Sequence, residues 1–374
     1  MSWPKPNVTN IVKQPISFSR AKWGIFFVVL IIITALILAA LWPDKSFATQ
    51  FTYWAGVILI PTIIGGSAFG VRIYLYGLAQ EEYEIWQNEQ QTIDNNWQNW
   101  AMKSLVVLES YYYLVSNVNA RKIFDDEINI DSQINKSLEF EETFELKHKL
   151  EDLFIKFNKI LALLPKSETL HITVYSSDKS YQPIDNEINQ AIRASNIENK
   201  FTLQQQILFR NTNIKKIVEN IDTPDSGLEL IIINNQKSEG SAFLASFLLL
   251  NKDYYEDLKL DFAKIEILRP MIANDLEEGL NQMVEMQSAL KTINQLWVTN
   301  ISNKQKADVA KELTLHEISP EHIYSLESFV GKSTELTYWL ALALTCEMMS
   351  ITQNNNLIVS ESQHQWQFSV IKNV

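Results

Sequence analysis

The sequence predicts an α/β protein in two parts: a helical hairpin that crosses a membrane twice, and a duplicated domain in which the order β-α-β-α-β-β occurs two times. Three observations predict it. Two uncharged apolar runs lie within the first 78 residues. The rest of the chain is polar and acidic, and brings the net charge to -12. Beyond residue 166, segments with helix-like and strand-like hydrophobic periodicity alternate in one order, and that order repeats. The expected divisions are a tail at 1–22, a transmembrane hairpin at 23–78, a helical connector with one strand at 79–165, and a duplicated domain at 166–374 with halves 170–250 and 296–374.

The first apolar run, GIFFVVLIIITALILAAL at 24–41, would span about 27 Å as a helix, close to the thickness of a hydrocarbon core. Trp23 and Trp42 flank it where interfacial anchors belong. A second run from Phe51 to Val71 closes at Arg72. Its Pro61, Gly65 and Gly66 would break a helix in water but are tolerated in a bilayer. Gly66 and Gly70 have the GxxxG spacing that lets two helices approach closely, here for packing within the hairpin or for a homodimer. The apolar run is too long for a cleaved leader and is followed at once by a second. Lys5, Lys13, Arg20 and Lys22 precede the first run without an acid, Lys45 is offset by Asp44 between the runs, and Arg72 follows the second. This bias places both termini in the cytoplasm of a bacterial inner membrane.

In the connector, Trp86, Ile93, Trp97 and Trp100 fall on one helical face. Packing of that stripe on the following domain is expected in preference to a coiled coil, because the pattern lasts only about two heptads. SLVVLESYYYLVS (104–116) reads as a buried strand, and 119–140 as a polar, mobile excursion. A helix over 144–164 follows. The first half then runs strand 170–177, helix 184–194, strand 201–209, helix 214–221, and two adjacent strands at 228–235 and 242–250. After a strand-like AKIEILRP and a helix over 275–287, the second half runs strand 296–301, helix 304–313, strand 322–329, an apolar helix over 334–349, and strands 356–362 and 366–373.

This duplicated order resembles the thiolase-like fold of the ketoacyl synthases, whose halves pack their sheets around shared central helices. The resemblance implies a cysteine nucleophile at the start of the second helix of the first half, where this chain has FRNTNIKKI. It implies histidines in ESFVGKST and SESQHQW, of which only the second has one, His364. The single cysteine, Cys346, falls inside the apolar helix, so the family's catalytic set is missing and no disulfide can form within the chain.

Gly331-Lys332-Ser333-Thr334 has the end of a phosphate-binding loop, but Leu326 stands where the first glycine should be. A strand-to-helix turn, with Ser333 or Thr334 capping the apolar helix, accounts for these residues. Lys332, Ser333 and Thr334 remain a candidate anion site at a helix N-terminus. His316, Glu317 and His322 do not have the spacing of a metal motif, and no metal or cofactor is expected. The acidic balance argues against nucleic acid as a partner.

WQNWAMKSLVVLES and the hairpin before it are similar to uncharacterised membrane proteins encoded among type VI secretion effector genes. That resemblance implies a non-enzymatic scaffold, accessory or immunity role, with a secretion effector or apparatus component as partner. The alternatives are a membrane-bound enzyme of acyl or lipid metabolism and an anion or nucleotide sensor.

Overall fold

In the computed structural model the two apolar runs form helices, α1 (Arg20–Leu41) and α2 (Phe47–Met102). The structure describes residues 3, 12–41, 47–116, 118–125, 133–177, 183–207, 212–223, 227–236 and 240–373. Trp42, Asp44, Lys45 and Lys5, which entered the membrane reading, lie outside them. The chain divides into two units, Pro6–Asn96 and a second made of Met1–Lys5 with Trp97–Val374.

In the first unit both helices are long and apolar enough to cross a bilayer. Their leucine, isoleucine and valine side chains are largely exposed, as lipid-facing residues would be. The seam between them is built on small residues at positions other than the expected pair. A Cβ on Gly65 would meet the Phe27 ring at 2.5 Å and one on Gly56 would meet Leu38 at 3.2 Å, whereas Gly66 and Gly70 face open space. Packing within the hairpin therefore does not use the GxxxG face. Edge-to-face contact of Trp23 with Phe69 (5.0 Å) and a bond from the Tyr53 hydroxyl to the Ala35 carbonyl (3.0 Å) complete the seam. The second run and the connector are one helix of 56 residues, which continues through Gly77 without a break.

The second unit contains the remaining elements, in chain order β1 (Ser104–Leu114), α3 (Ala120–Phe124), α4 (Leu146–Leu161), β2 (Leu170–Ser176), α5 (Asp185–Ala194), β3 (Phe201–Ile207), α6 (Thr212–Asp222), β4 (Leu228–Asn235), β5 (Phe243–Asn251), α7 (Lys252–Asp257), β6 (Ile265–Leu268), β7 (Met271–Ala273), α8 (Leu276–Met286), β8 (Ile293–Thr299), α9 (Asn303–Leu315), β9 (His322–Ser325), α10 (Leu326–Val330), α11 (Thr337–Thr352), β10 (Asn355–Ser362) and β11 (Gln365–Asn373). The strands join in the order β3-β2-β4-β5-β1-β6-β11-β10-β8-β9, with β7 paired to β11. Read inward from the two edges, the two halves mirror each other. Each has three parallel strands (β2, β3, β4; β8, β9, β10) followed by two antiparallel ones (β5, β1; β11, β6). The sheets of the two halves form one continuous sheet, because β1 and β6 pair antiparallel over Ser104–Val107.

Three apolar clusters give the layering. One holds α6 and α11 with inward-facing residues of both halves, among them Ile231, Phe247, Trp297 and Ile358. The outer face of the first half is covered by α4 and α5, and that of the second by α8 and α9. Helix α11 lies in the middle layer. Twelve of its residues are buried, which explains its lack of a polar face. Side-chain caps start several of the shorter helices: Asp275 accepts from Glu278 N (2.9 Å), and Ser302 forms a capping box with Gln305.

Three expectations need correction. The strand expected over 322–329 stops at Ser325 and continues as α10, because a helical turn brings the Glu327 carboxylate to the Thr299 hydroxyl (2.9 Å) and the Asn300 N–H (2.7 Å) at the end of β8. Residues 119–140 are not simply an excursion: Asn119 caps α3, Lys136 O accepts from Lys332 N (2.8 Å), and Leu138 O accepts from Ala242 N (2.7 Å). Neither Ser333 nor Thr334 caps α11. It begins at Thr337, whose hydroxyl accepts from Thr334 N (2.6 Å).

The central join carries a buried ion cluster. Glu266 on β6, fully buried, lies 2.7 Å from Lys252 and 3.1 Å from Lys372, and accepts from the Ser104 hydroxyl (3.1 Å). Burial alone would raise its pKa, but the two lysines outweigh it and hold the carboxyl below its ordinary 4.5. A depressed acid stabilises the fold above its unfolded pKa, and that contribution is lost as pH falls through the folded value. Glu266→Gln should cost about 2–4 kcal/mol at pH 7, by loss of a buried charge whose partners remain. In paired chemical denaturation curves, the gap between wild type and variant should close below about pH 4.

Candidate functional site

Among the described residues of the second unit, two clefts stand out. The first, about 770 Å³, lies where β8 and β10 end and α11 begins, and is lined by Asn300, Ser333, Thr334, Glu335, Glu361 and His364 among others. Its geometry follows from the Gly331 turn. Gly331 has φ +85°, and a Cβ there would collide with Lys136 O and lie 2.6 Å from Ser241 Oγ, so only glycine fits. The turn is then woven into its surroundings: Gly331 N donates to Glu327 O (3.1 Å), Lys332 N to Lys136 O, and Thr334 N to Thr337 Oγ1. Ser241 N donates to Lys332 O (2.9 Å), and Asn300 Nδ2 to Thr334 O (3.1 Å).

That weave bears on the candidate anion residues. A phosphate cradle needs several free backbone N–H groups, and three of those in this turn already donate within the chain. Ser333 and Thr334 reach the cleft, while the Lys332 side chain is exposed and outside its lining. The wall carries two carboxylates, Glu335 and Glu361, and no lysine or arginine among the described residues. His364 sits at the β10–β11 turn with its ring fully exposed, 3.6 Å from Glu361. Glu361 is also bonded to the Gln305 amide. This surface is acidic and hydroxyl-rich.

Beneath the cleft the middle layer is solid. Trp339 is fully buried between Tyr175 (6.3 Å, stacked) and Phe247 (5.5 Å), and the Tyr338 hydroxyl meets Ser369 Oγ at 2.7 Å. Cys346, about two turns of helix further on, is 1% exposed, and burial pushes its thiol up to about 12, which suppresses the thiolate that a nucleophile requires. The β3–α6 junction, where the fold resemblance places a nucleophile, lies largely outside the described residues. No group of three or more histidine, cysteine, aspartate or glutamate residues suited to a metal occurs among the described residues.

The second cleft, about 650 Å³, runs along the second half of β1, and sequence reasoning missed it. Strand β1 is paired to β5 throughout, but its pairing with β6 ends at Val107↔Ile265. Leu108 bulges, and Glu109–Leu114 have β5 on one side only. The chain that could have continued β6 alongside them is drawn off: Ala263 N donates to the Tyr255 hydroxyl (2.9 Å) instead. The cleft is lined by Glu109–Leu114, Phe262–Ile265 and the α11 residues Cys346, Glu347 and Ser350. Glu347 accepts from the Tyr112 hydroxyl and from Ala120 N (3.0 Å). Glu109 has only the Ser110 N–H (3.3 Å), pairs with no lysine or arginine among the described residues, and is held above the usual carboxylate range by burial. The one sequence signal was this acid inside an apolar strand.

The aromatic stripe is divided between the units. Trp97 and Trp100 pack into the domain's third cluster, while Trp86 falls in the unit before it. Trp100 stacks under the Arg269 guanidinium (4.1 Å) and meets Trp3 edge-to-face (5.7 Å). Arg269 forks onto Asp222 of α6 at 3.1 and 2.5 Å.

With this geometry in hand, the comparisons are informative for fold. No protein-family model and no curated protein matches the sequence. A Xanthomonas campestris OleA variant bound with cerulenin matches with TM-score 0.50 and 7% identity, over 74% of this chain and 98% of that one. A type II polyketide ketosynthase in complex with its acyl-carrier protein matches with TM-score 0.49 and 11% identity, over 73% of this chain and 100% of that one. Cerulenin-bound OleA in a co-crystal gives 0.49 and 6%, over 74% and 98%. The fold is thiolase-like. At these identities nothing beyond fold carries over.

Glu109 gives a pH test opposite in sign to Glu266. A carboxyl raised by burial weakens the fold once it ionises: its favourable state is present below the unfolded pKa and lost as pH rises through the folded one. Glu109→Gln should therefore raise the melting temperature at pH 7–8 and leave it unchanged near pH 4, as read by differential scanning fluorimetry in detergent.

Proposed function

We propose that this chain is a membrane-tethered binding protein in which a thiolase-like domain serves as scaffold without condensing chemistry. The observation that carries the reading is the state of the middle layer. The only thiol is a core side chain with a raised pKa, and Trp339, Tyr338, Tyr175 and Phe247 fill the space beneath the α11 N-terminus. A condensing site needs a reactive nucleophile beside a base, and at the start of α6, where the fold resemblance places that nucleophile, the sequence FRNTNIKKI has no cysteine. The resemblance to membrane proteins of type VI secretion loci is what favours an effector or apparatus component as partner, in an accessory or immunity role.

The tether rests on α1 and the apolar part of α2, flanked by Lys13, Arg20, Lys22 and Arg72. Trp3 adds a topological argument. It is 7% exposed within the second unit, where its N–H donates to Gln282 (3.1 Å) and its indole to Pro270 O (3.3 Å). A segment preceding two spans can dock on the domain that follows them only if both lie on the same side of the bilayer. Two crossings satisfy that condition, and one does not.

Intact-mass spectrometry of the full-length protein incubated with malonyl and long-chain acyl thioesters should show no acyl adduct, with thiol release at the protein-free rate. An adduct on any side chain would move the protein to acyl-transfer chemistry. In a Cys346→Ala background, Ser17→Cys and Glu321→Cys should both react with an impermeant maleimide in inside-out vesicles and in neither case in right-side-out ones. Labelling from opposite faces would exclude the hairpin.

A further inference from the structure

The two halves treat their innermost strands differently. In the second half, the polar groups around the β6–β7 bend are met by the chain itself: Arg269 N donates to Lys103 O (2.9 Å), Arg269 O accepts from the Gln287 amide (2.8 Å), and Pro270 O accepts from the Trp3 indole. In the first half the corresponding stretch of β1, Glu109–Leu114, is paired to β5 on one edge and borders an open cleft on the other, where the described residues place no strand. A strand edge left in this way has a row of backbone donors and acceptors set to pair with another extended chain. Here that edge is also recessed between Phe262–Ile265 and α11, so a peptide entering it would be gripped on two sides.

The chemistry of the cleft selects the occupant. Its carboxylate Glu109 is partly buried and forms no ion pair among the described residues, not even with Lys264, the one lysine of the lining, while the second acid, Glu347, is already engaged by Tyr112 and Ala120. An unpaired carboxylate in a recess calls for a lysine or arginine brought by the ligand. Tyr111, Tyr112, Tyr113 and Phe262 supply the flat apolar surface on which alternate side chains of an added strand would lie.

We propose that the open edge of β1, from Glu109 to Leu114, receives an extended, basic peptide segment of a partner protein as an added antiparallel or parallel strand, with a lysine or arginine of that segment paired to Glu109. Main-chain hydrogen bonds supply the affinity, and the Glu109 pair sets register and selectivity. The inference rests on the binding-protein reading and assigns that reading its surface.

The test uses full-length protein in lipid nanodiscs, panned against a displayed library of short random peptides, with empty nanodiscs subtracting peptides that bind lipid. Enriched sequences should alternate β-branched residues with lysine or arginine. Their affinity should fall at least about tenfold against Glu109→Gln, a loss of about 1.4 kcal/mol. Because that variant is expected to be the more stable one at neutral pH, the loss could not be ascribed to unfolding. N-methylation of alternate peptide amides along one edge should abolish binding, and along the other edge should leave it intact, as strand pairing requires.

Absence of enrichment, equal binding to Glu109→Gln, or tolerance of both methylation patterns would overturn the proposal. So would self-association of the full-length protein that Glu109→Gln abolishes, since that would give the edge to a second copy. These failures are separable from failure of the broader reading. Loss of peptide binding with no acyl adduct removes the edge alone, whereas an acyl adduct removes the binding-protein reading whatever the peptides do.

Discussion

The architecture depends on a short antiparallel contact between β1 and β6. Four residues of each strand, Ser104–Val107 and Ile265–Leu268, turn two half-sheets into one and fix how the halves face each other across α6 and α11. Backbone pairing alone over so short a stretch is weak, since each hydrogen bond contributes only about 1 kcal/mol net. The join is reinforced from below by Glu266, which gathers Lys252 from the first half and Lys372 from the last strand onto one carboxylate. It is reinforced from the side by Arg269, which ties α6 through Asp222 to the end of α2 through Trp100.

The two clefts differ in how they arise. The one above α11 is a consequence of turn geometry: Gly331 allows the chain to double back, and the backbone groups freed by the turn are consumed at once by Lys136, Glu327 and Thr337. What remains at the surface is carboxylate and hydroxyl. The cleft along β1 comes from a strand that outlasts its neighbour, because Tyr255 holds the Ala263 amide. In the first case the backbone is satisfied and the side chains are exposed. In the second the backbone edge itself is what is offered.

Much of the element order was legible in the sequence because it rests on local periodicity. Alternation and β-branching mark β2, β4 and β10, and an apolar run with no polar face marks α11 as central. The sequence did not reveal α10. HIYSLESF has the length and apolarity of a strand, and only the tertiary bonds of Glu327 to Thr299 and Asn300 decide for a helical turn. The hairpin seam was misplaced because GxxxG spacing is a property of one helix, while the choice of Gly56 and Gly65 depends on where Leu38 and Phe27 sit on the other. The β1 cleft was hidden for a related reason. SLVVLESYYYLVS reads as a strand in any setting, and whether both its edges are covered depends on residues about 150 positions away.

Trp3 carries a consequence for the order of events in biosynthesis. It is made before both spans, yet its partners Pro270 and Gln282 follow 267 and 279 residues later. Through translation of the spans and of most of the domain, this indole has no native seat. It can take its place over Trp100, at the root of α2, only once that part of the domain has been made.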